Sequence, residues 1–274
     1  MSDGSEDLLD VDSIAIGDRV VGILLGLAAG DFNGGPIRMA VRLAESLSER
    51  GTFDADDVLA RYLDWYQKGA FDTGPVAEKV FARIVAGDQV AMAVRFVHKE
   101  RGGLTAGCNP AHRSPPLAMA HFLADNKLPG AAFREAALTH FDSLAGDVAA
   151  GVVVLCRHLI VGTGWRVALA AAACGRKDLT QRALGVVNRS SLDRGGYAPD
   201  VLAAAIHFLD SHDNLAEALE ASFTFAGRSN YCPVLVGAIG GARWGAGAVP
   251  VERIQHAELL PRMSEAAKHL ATAW

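Results

Sequence analysis

The sequence lacks most of the features that mark a secreted, zinc-bound or nucleic-acid-binding protein. Its four cysteines lie far apart and form no Cys-x-x-Cys pair, which argues against a disulfide framework or a zinc site and predicts reduced thiols. No basic run is interleaved with aromatic residues, and the net charge is −5 with a pI of about 6.0. We therefore expect no nucleic-acid partner.

Long apolar runs are missing as well. The longest, residues 20–30 and 148–161, are interrupted or too short to cross a bilayer. Residues 1–12 are acidic and polar, which argues against a secretory signal and predicts a frayed tail. The expectation is a cytoplasmic protein with no membrane partner.

What the chain does contain is helix-forming sequence. Half of its 274 residues are hydrophobic, enough to bury a substantial core. Alanine and leucine dominate, and apolar residues recur at helical spacing, as at Val20, Ile23, Leu24 and Leu27. This pattern predicts an all-α fold. No linker and no fixed-period repeat interrupts it, so we expect an acidic tail over residues 1–18 and a single domain over residues 19–274.

Capping residues and helix breakers set the expected helix bounds. A loop rich in glycine and proline is expected over residues 100–116. The last helix has one apolar face. It either closes the domain or pairs with a second copy of the chain, so the oligomeric state can be a monomer or a homodimer. The expected helices cover about residues 20–30, 37–47, 54–68, 75–86, 90–97, 117–126, 130–138, 143–161, 165–174, 198–212, 214–225, 233–245 and 251–273.

Residues 226–241 are the most informative segment. Gly237 and Gly241 are four residues apart on one expected helix, and this spacing lets another backbone approach one face closely. The polar residues just before the helix would meet its unpaired amides, a place suited to an anion or a polyhydroxylated ligand. Arg228 in this segment is either a candidate cation for such a ligand or a surface charge.

Six short signatures follow one another along the chain. They are residues 22–31, ending in Gly-Asp; 39–47; 62–66 with Phe-Asp-Thr-Gly at 71–74; Thr-His within 137–142; Gly-Gly-Tyr within 195–200; and 234–245 followed by Val249-Pro250. Their content and order resemble the ADP-ribosylglycohydrolase family, whose members remove ADP-ribose from arginine, serine or dinitrogen reductase. The resemblance implies a compact orthogonal helical bundle and a site that faces a ribose.

The resemblance also implies two divalent cations, held by Thr-Asp-Asp-Thr and Asp-Thr-Asp-Thr motifs. In this chain those motifs fall on residues 34–37 and 228–231, which supply none of the anionic oxygens that such cations need. The linker after the first helix is far shorter than in the family, so the segment with the catalytic glutamate is missing. A third motif survives partly at residues 107–113. We therefore expect no metal and no cofactor.

The remaining polar residues give two sets of candidates. The candidate catalytic residues, for anion stabilisation and proton transfer, are Asp31, Asp72, His112 and His140. The candidate ligand-binding residues are Asn33, Gly34, Gly74, Asn109, Arg113, Asp142, Gly196, Tyr197, Arg228, Ser229, Asn230 and Tyr231.

Several candidates have structural alternatives. Asp31 can accept backbone amides in the turn that follows it, Asp72 and Asp142 can cap helices, and His112 can tether its loop. Tyr231 either stacks on a base or fills the space that the metals occupy in the family.

Three functions stay open at this point. The first is a metal-independent hydrolase of the glycosidic bond in an ADP-ribosyl or related ribosyl or nucleotide substrate, either a small molecule or an ADP-ribosylated protein. The second is a catalytically inactive pseudoenzyme that binds ADP-ribose, a nucleotide or a protein partner. The third is a pocket recruited for other chemistry on a small metabolite.

Overall fold

The protein is described by a computed structural model covering residues 14–185, 192–229, 231–272 and 274. The described residues form α-helices and short 3₁₀ turns without a β-strand, which confirms the all-α class. The helices are α1 (Ile16–Gly30), α2 (Gly35–Arg50), α3 (Ala55–Gln67), α4 (Pro75–Val85), α5 (Val90–Glu100), α6 (Asn109–Arg113), α7 (Pro116–Met119), α8 (Leu128–Ala136), α9 (Ser143–Ile160), α10 (Trp165–Ala173), α11 (Asp178–Leu184), α12 (Ala198–Asp210), α13 (Leu215–Ala226), α14 (Cys232–Trp244) and α15 (Leu260–Ala271).

The centre of the fold is α9. It packs against α8, α10 and α14, and most of its residues are buried. By length and composition α9 is apolar enough to cross a membrane, but a core helix passes the same test, and 83% of it is buried within the fold. Its apolar sequence is explained by this central position.

The close pair formed by α1 and α14 confirms the predicted role of the glycine spacing. A Cβ atom at Gly237 would collide with the carbonyl oxygen of Gly26, and one at Gly241 would collide with that of Gly22. Only glycine leaves room for two backbones at this distance. The contact fixes the start of α14, and Tyr231 just before it, relative to the end of α1.

Two predicted helices are shorter than expected. The helix expected over residues 117–126 ends at Met119, where the backbone of Ala120 becomes extended with ψ of 93°. The buried Arg157 Nη2 donates to the carbonyl oxygens of Ala120 (2.7 Å) and Leu123 (3.0 Å) and stabilises the turn that follows. The helix expected over residues 251–273 begins only at Leu260, after two 3₁₀ turns.

The first and last helices differ in detail from the prediction. The first begins earlier, and the last has one of the two roles that were open for it. α1 begins at Ile16, so residues 16–18 belong to a helix and not to the tail. α15 buries Met263, Ala266, Ala267 and Leu270 and packs on α1 and α2, so it closes the domain. All four cysteines are free, as expected.

Candidate functional site

A cavity of about 580 Å³ lies where the starts of α2, α4, α12 and α14 meet the loop after α5. This volume is within the range of small-molecule pockets. It is lined by Pro36, Asp72, Gly74, Pro75, Val76, Arg101, Gly103, Leu104, Ala106, Gly107, Cys108, Asn109, His112, His140, Asp142, Gly196, Tyr197 and Tyr231.

The cavity gathers many of the predicted site residues from distant parts of the chain. Those that line it are Asp72, Gly74, Asn109, His112, His140, Asp142, Gly196, Tyr197 and Tyr231. The predicted residues outside its lining are Asp31, Asn33, Gly34, Arg113, Arg228 and Ser229. Asn230 lies outside the described residues.

Asp31 accepts backbone amides in the turn that follows it, which is the structural alternative given for it above. It is fully buried, and its two oxygens accept the amides of Gly34 and Ile37, each at 2.8 Å. The carboxylate thereby ties the end of α1 to the start of α2. Gly34 serves this turn with φ of +95°, while Asn33 is exposed. Asp31 and Gly34 form the turn beside the cavity, and neither they nor Asn33 belong to its lining.

Asp72 is the carboxylate whose backbone is strained. Among the described non-glycine residues it alone has a positive φ, +52°. Its carbonyl lies against Gly35, where a Cβ would collide with it. Aspartate tolerates this left-handed conformation better than most residues, but strained backbone is enriched at functional sites. The N-cap of α4 is Gly74, two residues further on, so Asp72 itself lies in the turn that faces the cavity.

His112 on α6 is buried in the cavity wall next to Tyr231. The two rings are nearly parallel, with centroids 6.5 Å apart and an angle of 23° between their planes. Burial lowers the pKa of His112 to about 3, although a hydrogen bond with the Tyr231 backbone offsets part of that shift. The Nε2 atom of His112 is buried without a partner among the described residues. At neutral pH the ring is therefore uncharged.

Arg113 lies behind the cavity wall and holds it in place. It is fully buried, and its Nε donates to Glu135 Oε1 at 2.5 Å, which also accepts the Tyr62 hydroxyl at 2.9 Å. The Arg113 Nη1 donates to Asn109 Oδ1 at 2.6 Å, and its Nη2 donates to Thr139 Oγ1 at 2.9 Å. Arg113 is thus a positioning residue and not a ligand contact. Sequence reasoning missed Glu135, because a carboxylate inside a helical pattern reads as a surface residue.

The same network reaches His140. Thr139 Oγ1 lies 2.8 Å from His140 Nδ1, so Arg113 orients this ring through Thr139. Burial, followed by the charges of Arg113 and Arg101, holds the pKa of His140 well below its usual range. Both candidate proton donors are consequently neutral at pH 7, which differs from the predicted role of a histidine acid.

Two loops meet at the cavity next to Tyr231. The amide of Cys108 donates to the Gly196 carbonyl at 3.0 Å, next to the isolated bridge between Gly107 and Tyr197. A Cβ at Gly196 would lie 3.1 Å from Tyr231 Cζ, so the tyrosine ring rests on that backbone. Tyr231 therefore packs against Gly196 and lines the cavity.

Asp142 caps a helix, as its sequence suggested, and it also lines the cavity. Its Oδ1 accepts the amide of Leu144 at 2.9 Å and so caps α9. Its backbone amide donates to Thr105 Oγ1 at 3.3 Å, and Thr105 Oγ1 lies 2.6 Å from His98 Nδ1. These bonds hold a second carboxylate at the cavity.

Among the described residues, the arginine that lines the cavity is Arg101, and Arg228 lies outside the lining. Arg228 is exposed and outside the lining, and Ser229 Oγ donates to the Arg194 carbonyl at 2.8 Å. The prediction that Arg228 clamps a ligand is therefore not supported. Arg101 follows the last residue of α5, lines the cavity and donates from Nε to the Leu104 carbonyl at 3.4 Å. Its position in a glycine-rich loop was the signal that could have identified it.

The donor set does not fit the two divalent cations that the family resemblance implies. Residues 34–37 carry no side-chain oxygen, and both oxygens of Asp31 already accept amides. Within the described ranges, no group of three or more His, Cys, Asp or Glu side chains is arranged to hold a metal. Divalent cations of this kind need several oxygen ligands. We therefore describe the chemistry of this site without a metal ion.

Comparison with known proteins agrees with this architecture. Residues 37–274 match the sequence model of the family described as ADP-ribosylglycohydrolase, and the chain belongs to that family. A solved structure described as an ADP-ribosylglycohydrolase-related protein complex is similar, with a TM-score of 0.76 and 25% identity over 94% of this chain and 98% of the other. No curated protein matched. The family membership supports a glycohydrolase-like function.

Proposed function

We propose that this protein hydrolyses the glycosidic bond of an ADP-ribosyl or related ribosyl substrate in the described cavity, without a divalent cation. The observation that carries the proposal is Asp72. Asp72 lines the cavity, and its backbone has a left-handed conformation, with its carbonyl next to Gly35 where a Cβ would collide with it. A glycine would fit this backbone more easily, so the choice of aspartate points to a use for the side chain.

Glycosidic cleavage passes through a positively charged, oxocarbenium-like sugar. A fixed carboxylate beside the sugar stabilises that charge more strongly in the transition state than in the ground state. Asp72 takes this role. Asn109 and His140, both oriented through Arg113, offer hydrogen bonds to ribose hydroxyls and to the attacking water. Arg101 offers a fixed positive charge to the phosphates of the ligand.

We place the protein in the cytoplasm, with a small ribosyl ligand or an ADP-ribosylated protein as its partner.

One observation favours a second candidate, a binding protein without turnover. The lowered pKa values of His112 and His140 leave neither ring charged at neutral pH, so neither can donate a proton from an imidazolium. A substrate whose leaving group needs protonation would then bind and remain intact.

Two measurements separate these candidates. Purified protein in EDTA is incubated with ADP-ribosylated arginine, nicotinamide adenine dinucleotide and nucleosides, and product release is followed. Turnover of any of them supports the hydrolase, and turnover of none rules it out. Calorimetry with ADP-ribose then tests binding: affinity without turnover supports the binding protein, and no affinity removes both.

Arginine variants test the placement of the ligand. Arg101→Ala should weaken ADP-ribose binding by roughly 10-fold or more, because it removes a charge-assisted contact worth about 1.5–3 kcal/mol. The matched control is Arg228→Ala, an exposed arginine outside the lining, which should leave the affinity unchanged. The reverse result would return the binding role to Arg228.

A further inference from the structure

Arg113 fixes the orientation of two polar side chains that line the cavity. Its Nη1 donates to Asn109 Oδ1 at 2.6 Å, and its Nη2 donates to Thr139 Oγ1 at 2.9 Å. Thr139 Oγ1 in turn lies 2.8 Å from His140 Nδ1. A guanidinium has donors and no acceptor, so both oxygens are acceptors in their contacts with Arg113. The directions of the other hydrogen bonds in this network follow from those two.

Thr139 passes this direction on to His140. The Thr139 hydroxyl is fully buried and has two hydrogen-bond partners among the described residues, Arg113 and His140. Its oxygen accepts from Arg113, so its single proton has His140 Nδ1 as acceptor. A proton on Nδ1 would leave the buried hydroxyl without an acceptor, which is costly. Nδ1 is therefore the unprotonated nitrogen of the ring, and Nε2 carries the proton.

The same arginine fixes the side-chain amide of Asn109. Because Oδ1 faces the Arg113 guanidinium, Nδ2 lies on the other branch of the amide. The reverse orientation would bring the NH₂ group against another donor and lose a charge-assisted hydrogen bond. Asn109 lines the cavity, and the group that it offers to a ligand is the donor Nδ2.

Two glycines leave both N–H groups open to the cavity. A Cβ on Gly107 would lie 3.3 Å from His140 Nε2, and a Cβ on Gly74 would lie 3.5 Å from Asn109 Nδ2. Both glycines line the cavity, and neither nitrogen hydrogen-bonds to a residue in the described part of the chain. The cavity therefore presents two fixed N–H donors that a side chain at either glycine would cover.

Asp142 supplies an acceptor in the same cavity. It follows His140 by two residues and is part of the lining. Its Oδ1 accepts the Leu144 amide at 2.9 Å, whereas its Oδ2 has no hydrogen bond with a described residue. A hydroxyl group uses a donor for its oxygen and an acceptor for its proton. It therefore fits this combination better than a carbonyl or phosphate oxygen, which has no proton to give.

We propose that Arg113 and Thr139 are positioning residues that make the cavity selective for the 2′,3′-diol of a ribose. His140 Nε2 donates to one hydroxyl oxygen, and Asn109 Nδ2 donates to the other. The first hydroxyl gives its proton to Asp142 Oδ2. This inference rests on the ribosyl ligand of the proposed function and names its sugar, a ribose and not a deoxyribose. Because Nε2 already carries a proton, His140 does not act there as a general base.

Nitrogen-15 NMR of the free protein tests the tautomer before any ligand is added. Long-range proton–nitrogen spectra distinguish Nδ1–H from Nε2–H histidine, and the variant His140→Gln identifies the signals of this ring. We expect the Nε2–H tautomer in wild type. Thr139→Val keeps the shape of the side chain but removes the proton given to Nδ1, so the Nδ1–H form should appear. An Nδ1–H ring in wild type, or an unchanged His140 spectrum in Thr139→Val, would overturn the inference.

Ribose 5-phosphate and 2-deoxyribose 5-phosphate test the ligand, because they share the phosphate and differ by one hydroxyl. Calorimetry with wild type should show roughly 10-fold tighter binding of the ribose compound, since the deoxy sugar leaves one donor without an acceptor. In Thr139→Val this preference should fall towards equal binding. Loss of a merely structural contact would instead weaken both sugars alike.

A pair of glycine variants tests the access to Nε2. Gly107→Ala places a methyl group against His140 Nε2 and should reduce the preference for the ribose compound. Gly130→Ala, with open space around it, is the matched control and should keep the wild-type preference. Circular dichroism of each variant checks that the fold is intact. A full preference in Gly107→Ala would contradict the donor role of Nε2.

The remaining outcomes separate this inference from the proposed function. Equal affinity of wild type for the two sugars, or binding of neither, would overturn the diol assignment. Turnover of a ribosyl substrate by a protein whose His140 is the Nδ1–H tautomer would keep the hydrolase and overturn this inference. The expected tautomer and sugar preference without turnover of any substrate would keep the diol site and overturn the hydrolase.

Discussion

Protonation of the buried His112 should make the protein lose stability as the pH falls below about 6.5. The folded-state pKa of His112 is about 3, whereas an unfolded histidine has a pKa of about 6.5. Between these values the unfolded chain binds more protons, so the free energy of unfolding decreases as the pH falls. From pH 7 to pH 5 the loss from this one residue is about 2 kcal/mol, at about 1.4 kcal/mol per pKa unit.

Urea unfolding at pH 7 and pH 5 measures this loss. Wild type should lose about 2 kcal/mol more than His112→Phe, a variant of similar shape that cannot be protonated there. His140, whose pKa is also lowered, is unchanged in the variant and contributes equally to both proteins. His121→Phe, at an exposed position, is the matched control and should behave like wild type. Equal pH dependence in wild type and His112→Phe would refute the assignment of a buried, neutral His112.

Two further predictions concern the scaffold of the cavity. Arg113→Met leaves the buried Glu135 carboxylate without its cation and should lower the free energy of unfolding by about 3–5 kcal/mol in urea titrations; the double variant Arg113→Met/Glu135→Gln should recover part of it, and two additive losses would contradict the coupling. Gly237→Ala drives a methyl group into the α1 backbone and should destabilise by about 2 kcal/mol or more. Gly130→Ala, with open space around it in α8, should stabilise by about 0.5–1 kcal/mol, and similar effects at both glycines would contradict the close contact.

Much of the fold could be predicted because the strongest signals are local. Asp54 accepts the amides of Asp56 (3.0 Å) and Asp57 (3.1 Å), so the predicted cap does start α3. The glycine spacing in α14 likewise predicted a close backbone contact. By contrast, the turn after α7 is stabilised by Arg157, which is more than 30 residues away in sequence and donates to the carbonyls of Ala120 and Leu123. No local pattern records such a contact.

The site was only partly predictable for the same reason. The turn at Asp72 and the loop at His112 carry family-like signatures, and both face the cavity. Arg228 occupies a motif position, but the chain path before α14 leaves it exposed. Arg101 belongs to no motif, and it lines the cavity together with other residues of the loop after α5. Which of these two arginines lines the cavity is decided by tertiary packing, and the sequence order does not reveal it.

The central claim is that an aspartate, rather than bound metal, supports cleavage of a ribosyl bond in this cavity. The most direct measurement is the initial rate of ribosyl-product release by wild type and Asp72→Asn, each after EDTA treatment and again after added magnesium. The account predicts a wild-type rate that chelation and magnesium leave unchanged, and a rate lower by roughly 100-fold or more in Asp72→Asn. Activity that disappears in EDTA and returns with magnesium would contradict it.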